Sequence, residues 1–261
     1  MGFFNRSISK PGPGVERDEP RKKGVLRFFE ILSRDFADLV KLNLLFCLCC
    51  LPSAVLFFFS ILWFGSLASL LFLLLSLAAA FPIGGAASAG FFFITKRMMD
   101  DPGFVWYEFR RKFRENWRVA IPVGLFCVFI FYMEIYLSLA LIGNNAYAEP
   151  WVSSLNLAGL ILIGMIAPYI FVQIPYFFLK PLDLFKNSLI LAFINFPRSF
   201  MGAVQGGIVW ALYALFFPAS MIFAPLVVLF VFSLSWLLTL MWIWKPVNER
   251  FKIEETRLNQ Q

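Results

Sequence analysis

The chain has 261 residues, of which 60% are hydrophobic, 19% aromatic and only 15% charged, with a formal net charge of +7. Soluble domains are about 45–50% apolar, so this composition excludes them and indicates a membrane protein. The chain contains no histidine, which excludes imidazole acid–base groups, histidine metal ligands and Ser–His pairs. It also lacks a GxxxxGK[ST] loop for nucleotide phosphates. We therefore expect no enzyme activity, no cofactor and no metal site.

The first 23 residues are rich in proline and charge. They lack the apolar core of 7–15 residues that a secretory signal needs. Gly2 does not begin a myristoylation motif, because the sixth position is Arg6 rather than Ser or Thr. We predict two soluble tails, one before and one after the membrane domain in the chain: residues 1–23 and 245–261.

Long runs without Asp, Glu, Lys or Arg mark the membrane domain. Residues 42–95 form such a run, and a bilayer core of ~30 Å needs only about 20 apolar residues as a helix, so this run holds two spans. Two further runs are also long enough for two crossings each: residues 119–179, interrupted only by Glu134 and Glu149, and residues 199–244. Backbone groups in lipid must bond within their own segment, which favours helices. We predict an all-α, polytopic fold of six transmembrane helices in three hairpins within residues 24–244, with spans at about 40–64, 69–95, 119–142, 153–179, 199–219 and 222–244.

The basic residues predict the orientation of this layout. All 23 Lys and Arg residues fall on one face. The connections on the other face, around residues 65–66, 143–152 and 218–225, contain none. Because Lys and Arg near span ends are retained in the cytoplasm, we predict that both termini are cytoplasmic.

Residues 104–118, between the second and third spans, combine aromatic and basic side chains. The aromatics recur at spacings of three, four and four on one helical face, and Glu108, Arg111, Lys112 and Glu115 occupy the other. This pattern predicts a cytoplasmic amphipathic helix in the interface plane, with cations near anionic headgroups of the lipid bilayer. Docking of a partner protein is compatible with the same surface, whereas nucleic acid is not expected. The candidate lipid or partner docking surface comprises Trp106, Phe109, Arg110, Arg111, Lys112, Phe113, Arg114, Trp117 and Arg118.

Glu134 is the single acidic residue inside a predicted span. A carboxylate in hydrocarbon costs a few kcal/mol, so it should face the bundle interior, find a donor or stay protonated. Proton or cation coupling is one hypothesis. A hydrogen bond to a tyrosine such as Tyr169, or a position that reaches the outer interface, is the alternative. The candidate intramembrane polar site comprises Glu134, Tyr132, Tyr136, Gln173 and Gln205.

Other features of the spans have two interpretations each. Prolines and paired glycines occur in nearly every span, and such breaks line the substrate path in transporters. They also let helices pack closely, as GGAASAG at residues 84–90 is expected to do. Gln173, Lys180, Asn195 and Gln205 either outline a cavity or form interhelical hydrogen bonds. The cysteines are interpreted as packing residues rather than metal ligands: Cys47, Cys49, Cys50 and Cys127.

Several segments together resemble the YesL-like family of bacterial membrane proteins, whose biochemical function is undefined. The resemblance spans nearly the whole chain. It is carried by PGPGV..DEP.KKG (11–24), FFEIL...F..L.KLNLLF.LCCLP (28–52), FP....A.A.......R (81–97), PGFVWYEFRRKFRENW (102–117), YME (132–134), APYIFVQ (167–173) and FKNSLILAFINFPRS (185–199).

The resemblance implies a six-helix protein of the bacterial cytoplasmic membrane, often encoded with carbohydrate-uptake and polysaccharide-degradation genes. It implies an accessory or regulatory role in carbohydrate import, with subunits of an ATP-driven sugar importer as partners. The chain is not expected to be the permease itself, because residues 107–122 lack the EAA...G coupling loop. An independent secondary transporter with a site near Glu134, and a membrane sensor or scaffold for a cytoplasmic partner, are the alternatives.

Overall fold

Every regular element that the structure describes is helical. The structure is a computed structural model, and it describes residues 24–101, 103–143, 149–216, 222 and 224–258. The predicted N-terminal tail, residues 1–23, therefore lies outside the described residues. The helices are α1 Val25–Arg34, α2 Phe36–Leu62, α3 Leu67–Ala79, α4 Ile83–Met98, α5 Val105–Gly143, α6 Pro150–Gln173, α7 Pro181–Ile194, α8 Phe196–Leu215, α9 Ala224–Leu226, the π-helical turn Val227–Val231, α10 Phe232–Phe251 and α11 Ile253–Leu258.

The expectation of an all-helical fold is confirmed for the described residues, and several of the helices are apolar enough to suit a multi-pass membrane protein. Helices α3 and α4 are apolar enough to cross as one broken span with a 45° bend. The fifth predicted span, 199–219, begins within α8 and ends outside the described residues, so the number six stays a prediction. Within the described residues, four helices are long and apolar enough to cross a bilayer alone: Phe36–Leu62, Val105–Leu141, Pro150–Gln173 and Val227–Phe251.

The second predicted span, 69–95, is not one straight helix. Helix α3 ends at Ala79, and α4 begins at Ile83 with Pro82 at its N-cap. Proline lacks the backbone N–H that would continue the ladder, and its ring clashes with the preceding turn. This break is the physical reason for the difference from the prediction.

The segment 104–118 is not a separate helix either. It forms the first four turns of α5, which continues through Pro122 to Gly143. No glycine or proline occurs in residues 105–121, so nothing in the local sequence ends the helix before the third span. The predicted interfacial helix and the predicted third span are therefore one element.

Helix α4 is the centre of the core. All residues from Gly84 to Arg97 are buried. Small residues on this helix let its neighbours approach: Gly84 lies against Ala120 of α5, and Gly90 lies against Trp236 of α10. The main hydrophobic cluster surrounds α4 with side chains from α1, α2, α5, α6, α7 and α10. The close packing expected of GGAASAG is observed.

Helix α2 contacts the π-helical turn through a fully buried asparagine. The Asn43 amide donates to the carbonyl oxygens of Val227 and Val228, at 3.0 and 2.7 Å. Its own oxygen accepts from the backbone N–H of Ser233 at 2.9 Å. A π-helical turn displaces backbone carbonyls from the regular α-helical ladder. Asn43 satisfies those carbonyls and ties α2 to α10.

Candidate functional site

Glu134 lies between α5 and α6, half-buried. One carboxylate oxygen accepts a hydrogen bond from the amide of Asn156 at 3.0 Å, and Ser138 donates to the Asn156 oxygen, also at 3.0 Å. The carboxylate packs closely against Gly159, where a Cβ would come within 2.8 Å of it. The partner of Glu134 is thus an asparagine on α6, and not one of the tyrosines named as one alternative.

The two tyrosines beside Glu134 point to a different interface. Tyr132 shares a hydrogen bond with Ser53 of α2 at 2.6 Å, and its ring stacks on Phe57 with centroids 3.7 Å apart. Tyr136 donates to Ser60 of α2 at 2.7 Å. These contacts join α5 to α2, so the tyrosines and Glu134 occupy opposite sides of α5.

The two glutamines of the candidate site are separated again. Gln173 is fully buried and donates to Ser188 of α7 at 2.8 Å. Gln205 of α8 accepts from the indole N–H of Trp242 at 2.7 Å. The five candidate polar residues are therefore divided among four helix pairs, with only the two tyrosines sharing one, and they do not form one site.

A shallow concavity of about 410 Å³ opens between α3 and α5, but none of the candidate polar residues lines it. Its lining is entirely apolar and lacks the few polar groups that fix the orientation of a ligand in a binding site. The lining residues are Leu77, Ala78, Leu125, Phe126 and Phe129.

The first turns of α5 divide the candidate docking surface into two faces. Phe109 is buried and Phe113 packs against Gly85 of α4. Lys112 also turns inward, with its ammonium 4.8 Å from the Phe92 ring centroid. The aromatic face that we predicted is therefore split. Six residues remain exposed within about 120° of the helix circumference, at ~100° per residue: Trp106, Tyr107, Arg110, Arg114, Trp117 and Arg118.

The exposed arginines of this face are not neutralised by neighbours. Arg110, Arg114 and Arg118 form no ion pair with any residue in the described part of the chain. The Arg118 guanidinium lies 5.6 Å from the Trp117 ring centroid, within cation–π range. The surface therefore combines free positive charge with flat aromatic area.

The opposite face of the same turns is held by enclosed ion pairs. The Lys96 ammonium donates to Glu108 at 2.7 Å, with both side chains less than 10% exposed. Arg111 donates to the other Glu108 oxygen at 2.6 Å. On α4, Arg97 pairs with Asp38 of α2 at 2.5 Å and donates to the Gly103 carbonyl at 2.9 Å. These bonds join the ends of α2, α4 and α5.

Asp100 extends this cluster to α1. Its carboxylate accepts from Arg27 at 2.7 Å and from Arg34 at 2.6 Å. Partial burial opposes ionisation of Asp100, but the two guanidinium groups outweigh it and hold the pKa of this carboxyl below its usual value. Asp100 also adopts a left-handed φ of 60°, which aspartate tolerates better than most residues.

Sequence reasoning missed this charge cluster. We counted Lys96 and Arg97 as evidence of orientation and left out the acidic residues that accompany them. The available signal was the alternation of both signs at 30–41 and 96–101. Helix ends that carry charges of both signs can form ion pairs where they lie close together.

The other predicted chemistry concerns metals and thiols. The cysteines are free and half-buried within apolar helices. Within the described ranges, no group of three His, Cys, Asp or Glu residues is placed to hold a metal ion. The candidate site that the geometry supports is therefore the exposed face of α5, whose opposite face forms the ion pairs. No family model, curated protein or solved structure matches the chain.

Proposed function

We propose that this chain is a non-enzymatic accessory or regulatory protein of a bacterial carbohydrate import system, of the YesL-like type. It crosses the cytoplasmic membrane six times with both termini inside. The exposed face of α5 docks a cytoplasmic or membrane partner of the importer. The observation that carries the docking role is the unpaired aromatic and basic face, mounted on an enclosed ion-pair cluster.

The contacts between α2 and α5 support a position for the inner membrane boundary. Ser53 meets Tyr132 in a parallel pair of helices. Counting back along both helices from this contact brings Lys41 and Arg118 to nearly the same level. Each is the last basic residue before a long run without Lys or Arg. We take this level as the inner boundary of the hydrocarbon.

The exposed face extends well beyond this boundary. From Arg118 to Trp106, α5 rises about 18 Å at 1.5 Å per residue. The headgroup layer on each side of a bilayer is only about 5–8 Å thick. Trp106, Tyr107 and Arg110 therefore stand past the headgroups on a continuous helix, which favours a protein partner over lipid for this part of the surface.

The rigid base supports the same conclusion. Ion pairs on one side of α5 hold the exposed side at a fixed position relative to α2 and α4. Preorganised aromatic and arginine side chains are the residues that contribute most to protein interfaces. A partner with acidic groups around an apolar centre fits this surface.

The test is purification of the tagged protein from native cells after crosslinking. We expect an importer permease or ATPase to copurify with the wild-type protein. The double variant Arg110→Glu, Arg114→Glu should lose it. Lys245→Glu with Arg250→Glu is the matched control, because it makes the same charge change at an exposed end of α10. Absence of importer subunits from the wild-type sample, or equal recovery with the α5 variant, would reject the proposal.

A transporter function is the second candidate, and the Glu134–Asn156 hydrogen bond is the feature that favours it. A coupling carboxylate requires a titratable oxygen, whereas a structural one requires only a hydrogen-bond acceptor. Proton-linked flux in liposomes that is lost in Glu134→Gln, with normal folding, would support transport. Flux absent from the wild-type protein would leave accessory docking, or a sensor or scaffold using the same α5 face.

A further inference from the structure

Helix α7 was not expected from the sequence, and it lies across the end of α6. Leu184, near its beginning, packs in a cluster with Ile170 of α6. Ser188 accepts a hydrogen bond from Gln173 at 2.8 Å. Just after α7, Ser199 still meets Tyr169 at 3.0 Å. The contacts from Leu184 and Ser188 of α7, and from Ser199 of α8, all fall on less than two turns of α6, and we infer from them that α7 crosses the end of α6.

The cluster around Leu184 also gives the level of α7. It includes Ala120 and Val123 of α5, directly after Arg118. The Phe185 ring meets the Phe126 ring of α5 with centroids 4.9 Å apart. Helix α7 therefore lies at the inner membrane boundary proposed above.

The two faces of α7 differ in burial. The inward face is buried and includes the hydroxyl of Ser188. The outward face is mostly apolar and contacts nothing within the described residues that would cover it. Its exposed apolar side chains are Leu182, Leu189, Ile190, Phe193 and Ile194, and the exposed Asp183 and Lys186 lie among them. It continues the exposed surface of α5 at Phe126, which is 49% exposed.

Basic residues surround this apolar face. Lys180 is the N-cap residue of α7, Lys186 lies on the outward face, and Arg198 follows in α8. None of the three is ion-paired to another residue in the part of the chain that the structure describes. A lysine in an apolar surface can lay its methylene chain along the acyl tails and extend its ammonium to the phosphates.

We propose that α7 is an interfacial helix that binds anionic phospholipids of the inner leaflet. The outward leucine, isoleucine and phenylalanine side chains enter the acyl region, and Lys180 and Lys186 bind headgroup phosphates. Lipid rather than protein is the occupant, because the face is continuous with the membrane surface of α5 and because Lys180, Lys186 and Arg198 outnumber the single acid Asp183 at headgroup level. The proposal uses the membrane boundary given above but not the docking role of α5.

Depth measurements test the position of α7. Nitroxide labels at Leu189→Cys and Phe193→Cys, in a cysteine-free protein reconstituted in phosphatidylglycerol-containing bilayers, should be accessible to oxygen and shielded from a water-soluble nickel chelate. A label at Phe129→Cys is the control for the acyl region, and one at Glu249→Cys is the control for water. Labels on α7 that match Glu249 would overturn the proposal, whereas failed docking of an importer partner would leave this result unaffected.

Lipid selectivity tests the charges without cysteine replacement. Native mass spectrometry of the wild-type protein should show preferential retention of phosphatidylglycerol over phosphatidylcholine. Each basic residue near an anionic surface contributes about fivefold in affinity. Lys180→Gln with Lys186→Gln should therefore lower the preference about 25-fold, and Lys245→Gln with Arg250→Gln should not. Equal effects of both pairs, or bound protein at α7 in place of lipid, would contradict the proposal.

Discussion

Lys96 and Glu108 show how single residues hold the base of the docking surface. Their ion pair is almost fully enclosed, with side-chain exposures of 6% and 9%. Removing one partner from such a pair leaves an uncompensated buried charge, which costs far more than the net value of the pair. We therefore expect the loss of this pair to lower the free energy of unfolding far more than the loss of a surface pair on α5.

We expect Glu108→Gln to lower the free energy of unfolding by about 3 kcal/mol, because Lys96 would remain buried beside a neutral amide. Asp101, 3.6 Å from the Lys96 ammonium, compensates only in part. Thermal unfolding in detergent measures the change. Glu115→Gln is the matched control on α5: the Glu115 side chain is 45% exposed, so its pair with Lys112 is expected to contribute less than about 1 kcal/mol. Equal effects of the two substitutions would contradict an enclosed pair.

The intramembrane residues show the limit of prediction at this scale. The cost of a carboxylate in hydrocarbon predicted that Glu134 faces the bundle interior, finds a donor or stays protonated, and the structure shows a donor, the amide of Asn156. The identity of that donor depends on which side of α5 faces α6, and this is a tertiary property. Asn156 was a polar residue in the neighbouring span, but nothing local distinguished it from Tyr132.

At the scale of elements, two helices differ from prediction for related reasons. The charge pattern of residues 104–118 indicated an amphipathic helix, and the helix is present, but charge alone does not end it before the third span. Conversely, residues 181–194 lie between the predicted fourth and fifth spans, and no helix was predicted there. Their independence as α7 follows from contacts with the end of α6 that no local pattern encodes.

The contact between α4 and α5 yields a prediction for packing. We expect Gly84→Ala to destabilise the protein by about 1–3 kcal/mol, because a Cβ there would overlap the Ala120 carbonyl and the backbone of Gly124. Backbone atoms cannot rotate away as a flexible side chain would. Unfolding in detergent gives the magnitude.

Gly207→Ala is the matched control for that substitution. A Cβ at Gly207, within α8, meets nothing within 4 Å. Alanine also favours the helix over glycine by about 1 kcal/mol, so stability should stay constant or rise. A neutral Gly84→Ala variant would show that α4 and α5 do not approach as closely as the structure has them.

The hydrophobic core lies toward the end of the molecule that carries the ion-pair cluster. Buried side chains gather around α4, next to the ion-pair cluster, whereas many side chains of α2, α3 and α5 farther along these helices are exposed. In a bilayer the lipid tails replace a hydrophobic core, so the spans need bury little of their surface within the protein. The helical, multi-pass class was predictable because composition and charge-free length act on the entire chain. The position of the core was not, because it depends on contacts between distant segments.

The orientation of the whole molecule decides on which side of the membrane the proposed docking and lipid sites lie. All 23 basic residues lie on one face of the six-span layout, and moving such charges across the membrane is unfavourable during insertion. We expect cysteines introduced at Ser66 and Glu149 to react with a membrane-impermeant maleimide in intact cells. Cysteines at Arg110 and Lys186 should react only after permeabilisation.

The labelling experiment uses a background in which the four native cysteines are replaced, and this unlabelled background is its control. Each outcome tests a different part of the proposed membrane layout. Reaction of Arg110→Cys in intact cells would reverse the orientation and remove a cytoplasmic docking surface on α5. Protection of Glu149→Cys with reaction of Ser66→Cys would keep α2 and α3 as a hairpin but remove the crossing of α5. Only the expected pattern places the ion-pair cluster, the exposed face of α5 and the basic residues of α7 together on the cytoplasmic side.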